Sequence, residues 1–265
     1  MTGSSPDKDC RQIDYADLYD RHEEYAARRV EGSFEQARVE LEAKEFKIPN
    51  LIGLIPDGEV IRRILEIGCA TGELIGNFPI PEGGVRVGCD ISSDNIAAAR
   101  ARFPSVEFLA GDFANLPAGS FDCVVLSDVL EHVENDSGFL RDASRLARLT
   151  LVNLPLEDNW LNRGRRYGPD DVSGHLRRYS LQQGLDLLRA AELKVLAFRR
   201  VWIHESEVEA SRRALRKRFT GHSFSGSLVV RVAKQLFFST ATAVTPFGRR
   251  VFASNLFAIA ASEKD

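Results

Sequence analysis

The sequence predicts an α/β protein with a seven-stranded, mostly parallel sheet, helices on both faces of that sheet, a helical N-terminal cover and a helical insertion before the last strand. Three observations support this fold class. Apolar runs of strand length alternate with segments of helical periodicity, as in parallel sheets with crossover helices. Helix-spaced apolar residues precede the first run. A basic, partly apolar segment separates the last two runs.

The N-terminal cover is predicted over residues 1–60, where Tyr15 and Tyr19, and later Phe34 and Val39, recur at helical spacing between charged residues. The central region follows as strand-like runs, which are RRILEIG, VRVGCD, VEFLAGD, FDCVVLSD and RLTLVNLP. The helical segments that alternate with them are TGELIGNF, SDNIAAARARF and DSGFLRDASRL. We expect the crossovers to place helices on both faces of the sheet.

The C-terminal part completes the sheet. Ser180 opens the helical segment LQQGLDLLRAAE with Gln183 three residues later, which is a capping-box arrangement. The runs LKVLAFRRVW and SNLFAIAAS are predicted as the last two strands. We therefore expect one domain made of residues 61–203 and 251–265. Residues 204–250 are predicted as a helical insertion that acts as a lid, a homodimer contact or a membrane-surface patch, or simply packs on the domain.

Composition limits the classes of partner. With 265 residues, a net charge of -3 and a pI near 6.0, the chain has no global basic field, so no nucleic-acid partner is expected. The polar N-terminus lacks the apolar core of a signal peptide, and no apolar run approaches the roughly 20 residues of a spanning helix. We expect a cytoplasmic protein. Its cysteines have no C-x-x-C spacing and are interpreted as packing thiols.

Residues 65–73, with the sequence LEIGCATGE, form a Gly-rich turn between a predicted strand and a predicted helix. Ala70 stands where a dinucleotide-binding turn has its second glycine, and the carboxylate of Glu66 precedes the first glycine. A pyrophosphate needs close approach of the backbone and disfavours nearby anions. The turn therefore predicts a ligand that does not place phosphates there.

Four carboxylates lie at or just beyond the ends of four successive predicted strands: Glu66, Asp90, Asp112 and Asp128. Ligands of open α/β sheets bind outside the carboxyl ends of the strands. Carboxylates accept hydrogen bonds and favour cations, so the ligand should carry hydroxyl and amine donors and positive charge. Asp90 lies about 20 residues beyond the glycine turn, the position from which a carboxylate binds ribose hydroxyls.

The segments LEIGCATG, GCDIS, LAGDFANLP and FDCVVLSDVLEHV resemble class I S-adenosylmethionine-dependent methyltransferases. The similarity is to their small-molecule branch, which includes ubiquinone-biosynthesis-like O-methyltransferases, and it covers roughly residues 61–202. It implies a Rossmann-like domain and an enzyme that transfers a methyl group from S-adenosyl-L-methionine to a small-molecule acceptor, most simply at a hydroxyl.

The resemblance also implies roles for individual residues. Glu66 would help orient the ammonium group of the cofactor, Asp90 would hold the ribose, Asp112 would accept from the adenine amino group, and Phe113 would pack beside the ring. The implied cofactor-binding set is Glu66, Gly68, Cys69, Ala70, Thr71, Gly72, Asp90, Ile91, Asp112, Phe113 and Asp128. An alternative use of Asp112 is to cap a turn through its own backbone.

Two histidines are candidate catalytic bases, because histidine titrates nearest to neutral pH. His132 follows the fourth predicted strand, and His175 lies in the long loop after the fifth. Each has a structural alternative, as a capping or core residue for His132 and as a backbone-bonded loop residue for His175. Asp128, Glu131 and His132 form D-x-x-E-H, a pattern that suits a divalent cation as well as a cofactor flank, and no metal is predicted.

The long loop after RLTLVNLP is predicted to cover the acceptor, since long loops in compact domains tend to be functional. Its aromatic side chains favour an aromatic acceptor, and its arginines favour an anionic one unless they pair locally with acidic neighbours. These residues are Trp160, Tyr167, Tyr179, Arg163, Arg165, Arg166, Arg177 and Arg178. Two other functions stay open, methylation of RNA and a non-catalytic binding subunit. The turn SDVLEHV differs from the N-P-P-Y-like turn that grips a flipped base amine, which disfavours the first.

Overall fold

The computed structural model describes residues 23–159, 162–168, 171, 173–203, 206, 208–220 and 254–262. Seven strands in these ranges form a single sheet. They are β1 (Arg63–Ile67), β2 (Val85–Asp90), β3 (Glu107–Ala110), β4 (Phe121–Ser127), β5 (Ala147–Leu156), β6 (Leu193–Trp202) and β7 (Ser254–Ser262). Their order across the sheet is β3-β2-β1-β4-β5-β7-β6.

Only β7 runs antiparallel to its neighbours, among the strands of the described ranges. The pairs β1–β2, β1–β4, β2–β3 and β4–β5 are parallel. In this register Glu66 lies opposite Gly88 on one side and Val125 on the other, and Asp90 lies opposite Ala110. The prediction of a Rossmann-like, mostly parallel sheet is confirmed, and its carboxyl edge brings the predicted acids together.

The helices are α1 (Glu23–Arg29), α2 (Phe34–Glu42), α3 (Ile48–Ile52), α4 (Glu73–Asn77), α5 (Ser93–Arg102), α6 (Asp136–Ser144), α7 (Leu181–Ala190) and α8 (Val208–Thr220). A π-helical turn, Ala43–Lys47, joins α2 to α3, and a short 3-10 turn, Leu130–His132, follows β4. Serine side chains cap α2, α5 and α7, and the capping box of Ser180 with Gln183 is present as predicted.

Two hydrophobic layers cover the two faces of the sheet. One layer holds Leu140 of α6 and Leu188 of α7, and the other holds Ile75 of α4 and Ile96 of α5. The aliphatic residues of the central strands fill both layers, because parallel strands covered on both sides are apolar on both sides. The prediction of helices on both faces is confirmed.

The N-terminal helices pack on the second layer. Phe46, in the π-helical turn, meets Phe257 of β7 edge to face, with 5.4 Å between the ring centroids. Tyr15 and Tyr19 lie outside the described residues, as does Cys10. Helix α8 belongs to the predicted insertion, of which residues 221–250 are outside the description. The division of the chain into 1–60, 61–203 with 251–265, and 204–250 stays a prediction. No helix in the described ranges is long and apolar enough to span a membrane.

Candidate active site

A cavity of about 890 Å³ lies at the carboxyl edge of the sheet. Its floor consists of the segments that follow β1, β2, β3 and β4, and its cover comes from α1, α2 and the π-helical turn. The hydroxyl of Tyr25, in α1, donates a hydrogen bond of 3.2 Å to the carbonyl of Ser173, in the loop after β5. The cover and this loop therefore meet across the cavity.

The glycine turn after β1 has three residues in the left-handed backbone region. Gly68 has φ 74°, Ala70 has φ 45° and Gly72 has φ 83°. A Cβ at Gly68 would lie 2.5 Å from Cγ2 of Val129, so this position requires glycine for space as well as for conformation. Alanine at position 70 has room but carries a backbone cost of about 1–2 kcal/mol. The turn thus keeps its path although the second glycine is missing.

Glu66 is buried below this turn. Its Oε2 accepts a hydrogen bond of 3.0 Å from the backbone N–H of Ile75, near the start of α4. Burial raises the pKa of Glu66 to about 8, although the nearby Lys47 ammonium opposes that rise. The carboxyl group therefore supports the turn from inside and faces the cavity.

Asp90 connects the turn to the end of β2. Its Oδ2 accepts from the backbone N–H of Ala70 at 2.8 Å, and its Oδ1 accepts from the N–H of Ser92 at 2.9 Å. Oδ1 also accepts from Nδ2 of Asn95 at 3.5 Å. A carboxylate has about four acceptor sites, so these contacts are compatible with a ligand hydroxyl on the cavity side. Asp90 is buried and lines the cavity. The ribose-binding role of Asp90 stays a prediction.

The segment after β3 presents a polar group and an apolar surface. Oδ1 of Asp112 accepts from the backbone N–H of Ala114 at 3.0 Å, so the turn-capping alternative is realised while the exposed carboxylate also lines the cavity. Phe113 is buried and meets Phe139 edge to face, with 5.0 Å between the centroids. Ile91, after β2, leaves 48% of its surface exposed at the cavity. The segment offers an apolar wall beside a carboxylate.

The remaining turn residues are buried. The hydroxyl of Thr71 donates to Oε2 of Glu73 at 2.6 Å, and Glu73 also pairs with Arg102. Burial raises the pKa of the Cys69 thiol well above its usual range. Cys69, Cys89 and Cys123 are buried and unbridged, which fits their interpretation as packing thiols.

Lys47 is a cavity residue that sequence reasoning missed. Its Nζ lies 2.7 Å from Oδ2 of Asp128, and Nδ2 of Asn153 donates to both oxygens of Asp128 at 3.2 Å. Burial lowers the pKa of Lys47, but pairing with Asp128 outweighs it and raises the pKa overall. The wider π-helical turn changes the direction of the side chains that follow it, and this brings the Lys47 ammonium to Asp128. Helical periodicity alone assigns a lysine here to a solvated surface.

The two candidate bases lie against each other. The ring centroids of His132 and His175 are 4.7 Å apart, with the rings perpendicular. Nδ1 of His132 lies 3.0 Å from the carbonyl oxygen of Gly174, which only accepts, so this nitrogen carries the proton. Burial, and then the neighbouring His175, lower the pKa of His132 to about 4. His132 is therefore neutral at pH 7, and the fold brings together two residues 43 positions apart in the sequence.

His175 is oriented by a carboxylate that the sequence did not single out for this role. Its Nδ1 lies 2.8 Å from Oε2 of Glu157, whose Oε1 binds Nη1 of Arg165 at 2.5 Å. Arg165 also binds both oxygens of Asp171 at 2.7 and 2.8 Å. Asp171 in turn accepts from the backbone N–H of His175 at 3.2 Å. This network fixes the imidazole so that Nε2 is the nitrogen left for an acceptor.

The loop arginines and aromatic residues that the structure describes lie outside this cavity. Arg165 pairs locally, and Arg177 binds Asp136 at 2.5 Å and the carbonyl of Glu134 at 2.7 Å. Tyr179 is buried and donates to Asp136 at 2.6 Å. Among the described residues of the predicted acceptor set, none lines the cavity; Trp160 lies outside the description. The local-pairing alternative therefore accounts for Arg165, and Arg177 has a structural role.

Glu131 is a buried acid at the same end of the cavity. It is 1% exposed, and neither carboxyl oxygen has a hydrogen-bond partner in the described part of the chain. Burial raises its pKa well above the usual range. Side-chain atoms of Glu131, His132 and His175 lie within 4.8 Å of one another, whereas Asp128 is held by Lys47 and Asn153. The cluster thus differs from the D-x-x-E-H set that the spacing indicates.

Part of the chain is similar in sequence to proteins that are named as methyltransferases. Residues 65–149 match the family described as "Methyltransferase domain". A ubiquinone biosynthesis O-methyltransferase of Rhodopseudomonas palustris is 35% identical over 106 residues, 37% of this chain and 41% of that protein. A probable S-adenosylmethionine-dependent methyltransferase of Mycolicibacterium smegmatis is 37% identical over 100 residues, 36% of this chain and 38% of that protein. The matched region spans less than half of these relatives.

The fold as a whole resembles solved structures over a longer range. Phosphoethanolamine N-methyltransferase 2 of Haemonchus contortus, in complex with S-adenosyl-L-methionine, superimposes with a TM-score of 0.61. The alignment covers 95% of this chain and 60% of that one at 15% identity. At this identity the similarity describes the fold.

Proposed function

Because the chain belongs to the class I S-adenosylmethionine-dependent methyltransferase family, we propose that it transfers a methyl group from that cofactor to a hydroxyl oxygen of a small-molecule acceptor. One observation carries the proposal. A single cavity has the strand-end carboxylates on its floor and the paired histidines at the fourth and fifth strand ends. Its volume of about 890 Å³ lies within the usual range for sites that hold organic ligands.

The residues present fit the cofactor. Glu66 suits an ammonium group, Asp90 suits the two ribose hydroxyls, and Ile91 with Phe113 suits an adenine ring. The cofactor supplies a methyl group on a positively charged sulfur, and charge is lost from that sulfur on transfer. The floor carboxylates favour the charged ligand and hold it in one orientation, which is the main requirement for an in-line displacement.

Lys47 supplies the cation for the ligand's own carboxylate. It belongs to the cover, and its Nζ lies 2.7 Å from Oδ2 of Asp128, which lines the cavity floor. A ligand carboxylate could pair with the same ammonium, because three donors are available on it. The N-terminal cover is then part of the cofactor site and not only a packing element.

His175 is the base in this proposal. Its Nδ1 faces Glu157, so Nε2 can take the proton that the acceptor hydroxyl loses as the new oxygen–carbon bond forms. Glu157 stabilises the resulting imidazolium, and Arg165 holds Glu157 in place. His132, with its pKa of about 4, stays neutral and packs the edge of the His175 ring.

The binding half of the proposal is tested by calorimetry with S-adenosylhomocysteine. Asp90→Ala removes the acceptor of the ribose hydroxyls, and two lost bonds of about 1.5–3 kcal/mol each should weaken binding at least a hundredfold. Asp186→Ala, at an exposed surface ion pair, is the matched control and should bind like wild type. Equal dissociation constants for the Asp90 variant and wild type would remove the ribose assignment.

The chemical half is tested with an isotopically labelled methyl donor and an extract that contains candidate acceptors. Mass spectrometry should find a labelled product, and fragmentation should place the label on oxygen. A label on nitrogen or carbon would contradict O-methylation while retaining the enzyme class. Binding of the cofactor with no labelled product from any hydroxylated acceptor would favour the non-catalytic alternative. A cytoplasmic location stays a prediction from the composition, and a small-molecule acceptor stays a prediction from the resemblance to the small-molecule branch of the family.

A further inference from the structure

The C-terminal part of the chain has an unusual distribution of charge. Residues 210–262 contain nine lysines and arginines and not one aspartate or glutamate, although the whole chain has a net charge of -3. Five of these cations fall in a single helix, α8, between Arg212 and Arg218. Within the part of this stretch that the structure describes, residues 210–220 and 254–262, all the cations lie on this one helix.

Helix α8 has one face that is anchored and one that is exposed. Val208 is buried, Phe219 meets Phe34 of α2 edge to face with centroids 5.6 Å apart, and Arg212 binds Glu42 of α2 at 2.5 Å. These contacts hold the helix against α2 along its length. The same contacts determine which side chains of α8 stay exposed to solvent.

The exposed surface of α8 is a basic face, which consists of Arg213, Arg216, Lys217 and Arg218. Arg213 is paired with Glu209 on the same helix at 3.4 Å. No acid in the described part of the chain pairs with the other three cations. The face therefore keeps most of its charge for a partner.

We propose that the basic face of α8 docks on an anionic phospholipid surface. Clusters of four to eight cations on an exposed helix are the usual recognition element for anionic headgroups. Phe219 packs one side of its ring on Phe34 and is still 39% exposed, so it adds an apolar group beside the basic face. A single convex helix side offers neither a groove nor a row of aromatic rings for stacked bases, so a polynucleotide fits it less well.

The docked surface shares an element with the cavity. Helix α2 contacts α8 through Phe34 and Glu42, and the same helix lines the cavity with Arg38, Val39 and Glu42. Docking through α8 therefore brings the cover of the cavity next to the bilayer. This inference goes beyond the proposed function and does not depend on it.

Vesicle co-sedimentation of the full chain tests the docking. Vesicles of phosphatidylcholine with about 30% phosphatidylglycerol should bind the protein, and vesicles of phosphatidylcholine alone should not. Binding should be lost near 0.5 M salt, because screening shortens the reach of the charges. The variant Arg216→Gln/Lys217→Gln/Arg218→Gln should lose about a hundredfold in apparent affinity, since each cation near such a surface contributes about a factor of five.

A control variant carries the same loss of charge elsewhere. Arg62→Gln/Arg189→Gln/Lys194→Gln removes three exposed cations outside α8 and should bind vesicles like wild type. Both variants should keep the thermal midpoint and the affinity for S-adenosylhomocysteine of wild type, which separates docking from the cofactor site.

Three results would overturn the proposal. One is equal binding to charged and neutral vesicles. Another is an equal loss in the two triple variants, which would indicate a response to net charge alone. The third is tighter binding to single-stranded RNA than to the charged vesicles at the same salt, which would assign the face to a polynucleotide.

Discussion

At neutral pH the buried Glu66 is mostly a neutral acid, because burial raises its pKa to about 8. A glutamate in an unfolded chain titrates near 4.3, so the folded protein holds this proton more tightly. The stability that the protonated form contributes is complete below about pH 4, and it is lost as the pH rises through the folded pKa. Between these values the free energy of unfolding should fall by at most about 1.4 kcal/mol per pH unit from this group.

Glu66→Gln tests this titration, because glutamine keeps an oxygen that can accept from the N–H of Ile75 but cannot ionise. We expect the variant to gain stability relative to wild type as the pH is raised from 5 to 8. Urea unfolding at both pH values measures the difference. A constant difference between the two proteins would show that Glu66 does not titrate in this range.

Single residues differ in how far their position could be predicted from the sequence. Glu66 and Asp90 are predictable, because parallel strand ends converge at one edge of a sheet. Glu157 is not, since its partner His175 lies in an irregular loop whose path has no periodicity. The requirement for glycine at position 68 arises from Val129, a residue on another strand end, so only the fold reveals the clash.

The π-helical turn, Ala43–Lys47, is an element with a direct consequence for the site. It places Lys47 against Asp128, with side chains 25% and 32% exposed. Lys47→Met leaves that carboxylate without its cation, and we expect a loss of about 1–3 kcal/mol in the free energy of unfolding, less than for a fully buried pair. The affinity for S-adenosylhomocysteine should fall as well. Chemical denaturation and calorimetry measure the two effects.

Lys44 provides the matched control, because it lies in the same π-helical turn but on the surface. Its Nζ lies 2.6 Å from Oε1 of Glu40. Lys44→Met should change stability by about 0.5 kcal/mol or less and leave ligand affinity alone. Equal losses of stability and equal ligand affinities in the two variants would contradict a role of Lys47 in holding Asp128 and binding the ligand.

The loop after β5 is the other element on which the chemistry depends. Glu157→Gln keeps the shape of the side chain and removes the charge that orients His175. We expect kcat to fall by about tenfold or more, with cofactor affinity unchanged. His175→Ala should lower kcat by about 10²–10⁴-fold. Asp158→Asn, one residue further along the loop, should leave kcat within about twofold, and a similar loss in this control would contradict the orienting role of Glu157.

Elements with simple periodicity were predicted well. The seven strands and helices α4 to α7 follow from alternating apolar runs and from the capping box of Ser180. The π-helical turn could not be predicted, because one extra residue in a turn changes which face points inward without changing the composition. The local pairing that the sequence left open for the loop arginines holds for Arg165, whereas the partner of Arg177, Asp136, lies in a different element and could not be read from the loop.

The whole molecule follows the predicted fold class, and the family's motifs occupy one half of the sheet. Glu66, Asp90, Asp112 and Asp128 all line one cavity, as expected from their strand ends. The strand order of the second half is not visible in a list of strands. The alternation of strand-like and helical segments does not predict that β7 lies between β5 and β6.

That insertion has a consequence for how the chain is made. Among the strands that the structure describes, β6 pairs with β7 alone, and β5 has β7 on its outer side. The ribosome makes β6 before its partner β7. Until β7 is made, the outer edge of β5 has backbone N–H and C=O groups without strand partners. An open edge of this kind invites pairing with another nascent chain. Residues 254–262 pair with β5 and β6 at once, so this strand covers the open edge of β5 and joins β6 to the rest of the sheet.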